Sequence, residues 1–286
     1  MTGSGIQADP YIITTWEELI DTTNRTTTDF CEWRGGDVDL NNIKPEGYTD
    51  SVVINGIIDF KDATIKNLHT IAGNKTPIVF AFGTNGYIKN LNLLNCFFTG
   101  SYSYAIQFGK NVSSDMYLEN LRIGIFLDYT GDANSNCTII STSPDSSYYR
   151  SVFQKCSFNF RSDTQSIVRL AYGRKQGFYD CQFDFDIKSK DGYNVTYMTN
   201  SDCDVYHGRI KGRYIGQTEE TKNFTGINNH SNIYLFNEGS YTARSQGITI
   251  YNSDTCTITG TNVKGCTSAQ MANTAYLKSI GFAIGD

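Results

Sequence analysis

Apolar and polar positions along the chain follow one short recurring phrase. The phrase is an apolar residue, two mostly polar residues, a small or apolar residue, any residue, and usually another apolar residue. It begins at Ile65, Ile88, Leu118, Phe153, Phe178, Val205, Ile233 and Ile258. Successive starts are 23, 30, 35, 25, 27, 28 and 25 residues apart. A repeat with a period in the twenties is typical of a solenoid, in which each repeat forms one coil.

The phrase also predicts the secondary structure of each repeat. After the polar pair, apolar and polar residues alternate, as in residues 156–160 (Cys-Ser-Phe-Asn-Phe) and 181–185 (Cys-Gln-Phe-Asp-Phe). A period of two indicates a strand with one buried face, and the polar pair indicates a sharp bend between two strands. Helical periodicity is almost absent between residues 50 and 265. We therefore predict an all-β parallel β-helix with strands stacked about 4.8 Å apart. The alternative is a β-propeller, which needs roughly 40–50 residues per blade. The spacings found here are shorter than that, so they favour the β-helix.

The repeat sets a register between neighbouring strands. Placing Cys156, Cys181 and Gly208 in one column aligns the outward-facing side chains of three successive repeats. This register predicts a ladder of opposite charges, which favours the alignment because a register error would produce none. The opposed pairs are Asp184 with Lys211, Asp186 with Arg161, and Asp186 with Arg213.

Both ends of the chain have helix-start patterns. Residues 15–18 (Thr-Trp-Glu-Glu) and 267–270 (Thr-Ser-Ala-Gln) each match a capping box. The apolar residues expected to pack are Trp16, Leu19 and Ile20 in the first helix, and Met271, Ala275 and Leu277 in the second, which should end near Gly281. No linker divides the chain, so we predict one domain over residues 1–286. It consists of an N-terminal cap and irregular first coil (1–50), coils (51–266) and a C-terminal cap (267–286).

Composition and charge exclude or disfavour several classes of protein. The 286 residues include 17 Phe and 19 Tyr, which is too much apolar surface for a disordered chain. A net charge of −5 without a basic run disfavours nucleic-acid binding. No apolar run is long enough to span a membrane, and residues 1–5 have no export-signal pattern. The eight cysteines form no C-x-x-C pair, so we expect buried thiols rather than a zinc site.

The two ends of the sequence resemble known β-helix proteins. Residues 3–13 (Gly-Ser-Gly-Ile-Gln-Ala-Asp-Pro-Tyr-Ile-Ile) with residues 14–19 resemble the opening of pectate-lyase-like right-handed β-helix proteins. Residues 269–285 resemble the close of β-helix proteins in phages of Gram-positive bacteria. The resemblance implies a right-handed β-helix on the surface of a virion: a capsid decoration, a head fibre or a tail adhesin.

Two motifs suggest enzymes acting on polysaccharides. Residues 207–211 (His-Gly-Arg-Ile-Lys) resemble two polygalacturonase signatures, but the paired aspartates needed to hydrolyse a glycosidic bond have no match. The second motif resembles the site of β-helix polysaccharide lyases, in which aspartates bind calcium beside a basic residue. The residues of those types here are Asp180, Asp184 and Asp186 with Arg161, Lys211 and Arg213. Calcium takes six to eight oxygen ligands, and two of these carboxylates, Asp184 and Asp186, face cations, so we interpret the group as a structural ladder.

The remaining candidates have ordinary explanations. Residues 132–136 (Asp-Ala-Asn-Ser-Asn) alternate oxygen ligands but lack the glycine and closing acid of a calcium loop, which indicates a turn. His69 and His230 are isolated. Tyrosines 102, 104, 148 and 149 offer rigid contact area for sugar or protein surfaces, although packing on the strand surface explains them as well. Residues 127–150 form the long insertion where we expect a contact loop.

These observations favour a non-enzymatic virion protein with no catalytic, cofactor-binding or metal-binding residue assigned and no cofactor. We expect a capsid decoration or head-fibre component whose partners are other virion proteins and copies of itself, a trimer being one arrangement. The first alternative is a tail receptor-binding protein that recognises host cell-surface glycans. The second is a polysaccharide-degrading lyase or depolymerase.

Overall fold

A computed structural model describes most of the chain. The described residues are 1–71, 73–83, 85–101, 104–109, 114–129, 137–142, 150–162, 168–172, 176–188, 203–206, 209–215, 224–229, 233–245, 249–254, 256–260 and 263–280. Between residues 185 and 249 the description covers the backbone of the strands alone. Among the described residues, no helix is both long and apolar enough to cross a membrane.

Strands make up most of this part of the chain. The first twelve are β1 (Tyr11–Ile13), β2 (Phe30–Trp33), β3 (Val38–Asp39), β4 (Val52–Asn55), β5 (Ile57–Lys66), β6 (His69–Ile71), β7 (Ile78–Ala81), β8 (Tyr87–Gly100), β9 (Tyr104–Phe108), β10 (Met116–Tyr129), β11 (Cys137–Thr142) and β12 (Ser151–Gln154). The others are β13 (Ser157–Ser162), β14 (Val168–Tyr172), β15 (Gln176–Tyr179), β16 (Gln182–Lys188), β17 (Cys203–Tyr206), β18 (Arg209–Ile215), β19 (Phe224–Asn229), β20 (Ile233–Ser245), β21 (Thr249–Asn252), β22 (Cys256–Gly260) and β23 (Val263–Cys266). The helices are α1 (Trp16–Ile20), α2 (Ser268–Met271) and α3 (Thr274–Ser279), with one 3-10 turn at Leu40–Asn42.

The described strands pair in parallel and form long sheets. Strands β4, β7, β9, β11 and β14 make one sheet of five, and the other strands join a second, continuous set of pairings. Within this second set, β8 pairs with β10, β10 with β12 and β13, and β13 with β16. Parallel partners cannot be joined by a tight hairpin, so each pairing links distant parts of the sequence. The fold is all-β, and its parallel sheets are compatible with a β-helix-like solenoid.

Five members of the recurring phrase begin at residues that lie side by side on successive strands of the second set, and these residues form one column. Ile88, Leu118, Phe153, Phe178 and Val205 lie opposite one another on successive strands. The third residue of four of these phrases has a left-handed backbone with φ between 52° and 58°. These residues are Asn90, Asn120, Lys155 and Asp180. The prediction of a sharp bend at the polar pair is therefore confirmed at these four positions.

The other three phrase members, at Ile65, Ile233 and Ile258, do not continue this column. Ile65 pairs with Leu93, and Val205 pairs with Asn229 instead of Ile233. Ile258 pairs with Tyr241. The phrase at Ile65 fails because a second bend along the strands has the same local chemistry: Asn67 and Asn95 are also left-handed, with φ of 62° and 53°.

Aromatic rings stack through the interior. The rings of Phe153 and Phe178 have centroids 4.5 Å apart, and those of Phe158 and Phe183 are 5.1 Å apart. All four side chains are buried. Burying such a side chain contributes roughly 1.5–3 kcal/mol relative to exposure, so inward columns of this kind provide the main stabilisation of the strands.

The N-terminal helix follows β1 and packs into the core. Thr15 caps it, because Thr15 Oγ1 accepts a hydrogen bond from the Glu18 backbone at 3.2 Å. The predicted capping box is incomplete, since the Glu18 carboxylate accepts from the backbone of Thr14 at 2.8 Å instead of from Thr15. Trp16 and Leu19 are buried as predicted. In the first coil, β2 pairs with both β1 and β5.

The C-terminal segment forms two short helices where one was predicted. Thr267 and Gln270 make the complete capping box of α2, and Asn273 begins α3 by accepting a hydrogen bond from the Tyr276 backbone at 3.0 Å. Met271 and Leu277 are buried beside Ile250 and Cys266. Ala275 is exposed, contrary to prediction, because it lies on the outer side of the second helix.

Candidate functional site

The predicted charge ladder is present in the backbone register. Asp184 lies opposite Lys211, and Asp186 lies opposite both Arg161 and Arg213. The guanidinium of Arg161 reaches diagonally to Asp184, with both Nη atoms 3.2 Å from Oδ1. Both side chains are more than a third exposed, so this pair contributes at most about 1 kcal/mol.

The calcium platform of a lyase is only partly assembled by these residues. Asp180 occupies the left-handed bend that precedes β16, whereas Asp184 lies on the strand itself. The Asp184 carboxylate already accepts from Arg161. Within the described residues, no three His, Cys, Asp or Glu side chains are grouped as a metal ion would require.

Several predicted candidates lie outside the described residues. They are His207 and Gly208 of the polygalacturonase-like motif, residues 132–136, His230, Tyr102, Tyr148 and Tyr149. Arg209, Ile210 and Lys211 belong to β18. Tyr104 lies at the start of β9 and is half-buried. His69 is half-buried at the start of β6, with its ring centroid 5.3 Å from that of Phe97.

The sequence did not reveal a network of charged and amide side chains at the first bends. Asp59 Oδ2 lies 3.2 Å from Lys61 Nζ and 3.5 Å from Lys89 Nζ. Asn90 Nδ2 donates to Asp59 Oδ1 at 2.9 Å, and Glu32 Oε2 lies 3.3 Å from Lys61 Nζ. These residues belong to β2, β5 and β8, so the network connects three neighbouring strands.

This network keeps its carboxylates ionised. Burial raises the pKa of Asp59, but hydrogen bonds from Asn90 and Lys61 outweigh burial and lower that pKa below its usual value. The hydrogen bond from Arg34 lowers the pKa of Glu32. A bound cation would have to displace the neighbouring lysines, so the arrangement is suited to joining strands. In the sequence, this network was indicated only by the recurrence of Asn at the third position of the phrase.

Asparagine side chains extend the same network to the next strand. Asn120 Nδ2 donates to Asn90 Oδ1 at 3.0 Å and to Asp62 Oδ1 at 2.8 Å. Each amide therefore satisfies a polar group of a neighbouring strand while its own backbone makes the bend. Asparagine suits this position because it tolerates a left-handed backbone better than most residues.

Five cysteine side chains are described, and all five are buried free thiols: Cys31, Cys96, Cys156, Cys181 and Cys266. Burial raises the pKa of Cys96 to about 12. Burial also raises the pKa of Cys181, and a hydrogen bond with Cys156 adds to the effect. Thiols with raised pKa values are poor nucleophiles and poor metal ligands. For these five, the prediction of cysteine as a small buried hydrophobe is confirmed.

Comparisons with protein-family models, with curated proteins and with solved structures find no match to this chain.

Proposed function

We propose that the chain is a structural protein of a bacteriophage virion, a surface-exposed right-handed parallel β-helix that serves as a capsid decoration or head-fibre component. The observation that supports this proposal best is the parallel pairing of strands, which recurs from β1 to β23 along the described chain. A protein built in this way suits the surface of a virion, which is exposed to shear and proteases. The backbone groups of paired strands are hydrogen-bonded and shielded from solvent.

The proposed role depends on the stiffness of the stacked strands. The inward phenylalanine stacks and the network around Asp59 and Asn90 each join successive strands. Separating one strand from the next would break both kinds of contact together with the backbone ladder. Loops between the strands would then make the contacts with other virion proteins.

The proposed role is non-enzymatic. The pairing of Asp184 with Arg161 favours a structural ladder over a lyase platform. A viscosity assay on rhamnose- and uronate-containing polymers tests this part, and we expect no loss of viscosity on incubation with the purified protein. A loss of viscosity would favour the depolymerase instead.

A tail receptor-binding protein is the second candidate. The observation that favours it is the outward-facing side chain of Tyr117, which is 47% exposed on a regular strand. Large exposed aromatic residues on a rigid surface suit recognition of sugars or proteins.

Immunogold labelling of intact particles tests the proposed location. Antibodies against the purified protein should label the head surface, and mass spectrometry should detect the chain in purified virions. Labelling confined to the tail would favour the receptor-binding protein. Detection in infected cells but not in purified virions would refute both virion roles.

A further inference from the structure

Two cysteines lie side by side at the bends that precede β13 and β16. Cys156 and Cys181 each follow a left-handed residue and lead into these two strands, whose pairing begins with Ser157 opposite Gln182. The Gln182 backbone N–H donates to the carbonyl oxygen of Cys156 at 2.8 Å. The Cα atoms of the two cysteines are therefore about one strand spacing, or about 4.8 Å, apart. Disulfides join Cα atoms that are roughly 4.4–6.8 Å apart.

Both thiols occupy equivalent places in the interior. Each side chain is at most 1% exposed. Each Sγ atom lies within hydrogen-bonding distance of a carbonyl oxygen of the preceding strand: Cys156 Sγ is 3.4 Å from that of Leu118, and Cys181 Sγ is 3.6 Å from that of Phe153. A hydrogen bond also joins the two thiols. The pair is thus in contact, and a bond between its sulfur atoms requires no change in strand pairing.

This pairing is specific to two of the eight cysteines. On the described strands, each of the other six lies opposite a residue of another type: Cys31 opposite Ile58, Cys96 opposite Ile125, Cys137 opposite Val168, Cys203 opposite Gln176, Cys256 opposite Gly239 and Cys266 opposite Asn252. The register therefore brings one pair of thiols together and provides internal controls for it.

We propose that Cys156 and Cys181 form a disulfide, which joins the bends before β13 and β16, when the chain meets a small disulfide oxidant such as oxidised glutathione. One thiolate attacks the oxidant and releases a first thiol. The second thiolate then attacks the mixed disulfide and releases a second thiol. The two cysteines lose two electrons and two protons, and the oxidant is reduced to two thiols.

The folded chain protects this pair from rapid reaction. Burial of both side chains excludes an oxidant of the size of glutathione, and burial raises the pKa of Cys181. Exchange therefore requires a local opening of the strands, and reclosure then shields the bond from reductants. Urea below the unfolding transition favours such openings, so it should accelerate the reaction.

The closed bond would oppose separation of the strands that it joins. It closes a loop over residues 157–180, which contains β13, β14 and β15. A cross-link over such a loop stabilises the fold mainly by restricting the unfolded chain. The inference goes beyond the virion proposal and does not rest on it, because it concerns the chemistry of the isolated chain.

Mass spectrometry of the purified full chain tests this bond. The reduced protein is incubated with oxidised glutathione, with and without urea below the unfolding transition. Free thiols are then blocked with N-ethylmaleimide under denaturing conditions before digestion with trypsin. We expect the peptide of residues 156–161 to be linked to that of residues 176–188 in most molecules. Urea should accelerate the linkage about tenfold or more.

Variants and melting temperatures distinguish this pair from the other thiols. Cys156→Ala and Cys181→Ala should each abolish the linked peptide. Cys96→Ala is the matched control, because Cys96 is equally buried after a left-handed residue but lies opposite Ile125. It should keep the linkage. Oxidation should raise the melting temperature of the unmodified chain by about 3 °C or more and leave that of Cys181→Ala unchanged.

The proposal is overturned if the unmodified chain yields no linked peptide, or if links among the other cysteines are as frequent as this one. A linkage rate that urea does not change would contradict the opening step, and an unchanged melting temperature would contradict the stabilising role. A missing cross-link would leave immunogold labelling unaffected, and failure of the virion proposal would leave the linked peptide unaffected.

Discussion

At the scale of single residues, the positions that decide the fold are the left-handed bends. Asn90 and Asn120 combine a backbone that asparagine tolerates with side-chain hydrogen bonds to neighbouring strands. Lys155 and Asp180 occupy equivalent bends. The sequence predicted a bend at these positions but not the bonds between the amides, because those bonds depend on which strands become neighbours.

The two roles of Asn90 are separable by substitution. Asn90→Ala should lower the free energy of unfolding by about 2 kcal/mol, because alanine strains the left-handed backbone and removes the amide. Asn90→Gly should cost only about 1 kcal/mol, since glycine relieves the strain. Urea unfolding measures both values. Equal losses for the two variants would show that backbone strain is unimportant here.

Two buried threonines differ in whether their hydroxyls are bonded. Thr142 Oγ1 accepts from Gln176 Nε2 at 2.8 Å, whereas Thr70 Oγ1 is buried without a hydrogen-bond partner. Thr142→Val should therefore lower the free energy of unfolding by about 1–2 kcal/mol, while Thr70→Val should leave it unchanged or raise it. Thermal melts of the two variants check this difference, and a larger loss at Thr70 would contradict it.

At the scale of elements, the recurring phrase predicted where strands and bends lie better than it predicted which residues lie opposite one another on neighbouring strands. Five phrase members share a column, but Ile65 aligns with Leu93 because the bend at Asn67 has the same pattern as the bend at Asn90. A local pattern identifies a type of bend, whereas its column depends on strand pairing over long sequence distances.

The capping box of α2 is a testable element. Thr267→Ala should lower the free energy of unfolding by about 1 kcal/mol, because Thr267 Oγ1 accepts from the Gln270 backbone. Thr274→Ala is the control, as Thr274 lies exposed in the first turn of α3 and Asn273 caps that helix. Its effect should stay within about 0.5 kcal/mol. Chemical denaturation compares them, and equal effects would show that the box does not stabilise the end.

The network joining β2, β5 and β8 should give acid-dependent stability. The pKa of Asp59 is lowered in the folded chain, so its stabilisation is present above the unfolded-state value of about 3.9 and is lost as pH falls through the folded-state value. The melting temperature of the unmodified chain should exceed that of Asp59→Asn at pH 6, and this difference should shrink below about pH 4. A difference independent of pH would show that the Asp59 charge does not stabilise the fold.

At the scale of the whole molecule, the fold depends on distant segments of the chain lying side by side. The sequence predicted the opposition of Asp186 to Arg161 and Arg213, which the backbone register confirms. It did not predict the diagonal bond from Arg161 to Asp184, because rotamers of exposed arginines depend on local space. The proposed stiffness and the proposed role on a virion follow from this stacking, and both would fail without it.

Electron paramagnetic resonance of paired spin labels tests the stacking most directly. Labels on cysteines substituted for Glu119 and Gln154 lie on adjacent strands, about 5 Å apart at the backbone, although 35 residues separate them in sequence. The control pair is Glu119 with Asn159, which lies beyond the bend at Lys155 and roughly 12 Å or more away. We predict strong dipolar broadening for the first pair and much weaker broadening for the second. Absence of broadening in the first pair would contradict the parallel stacking on which every proposal here depends.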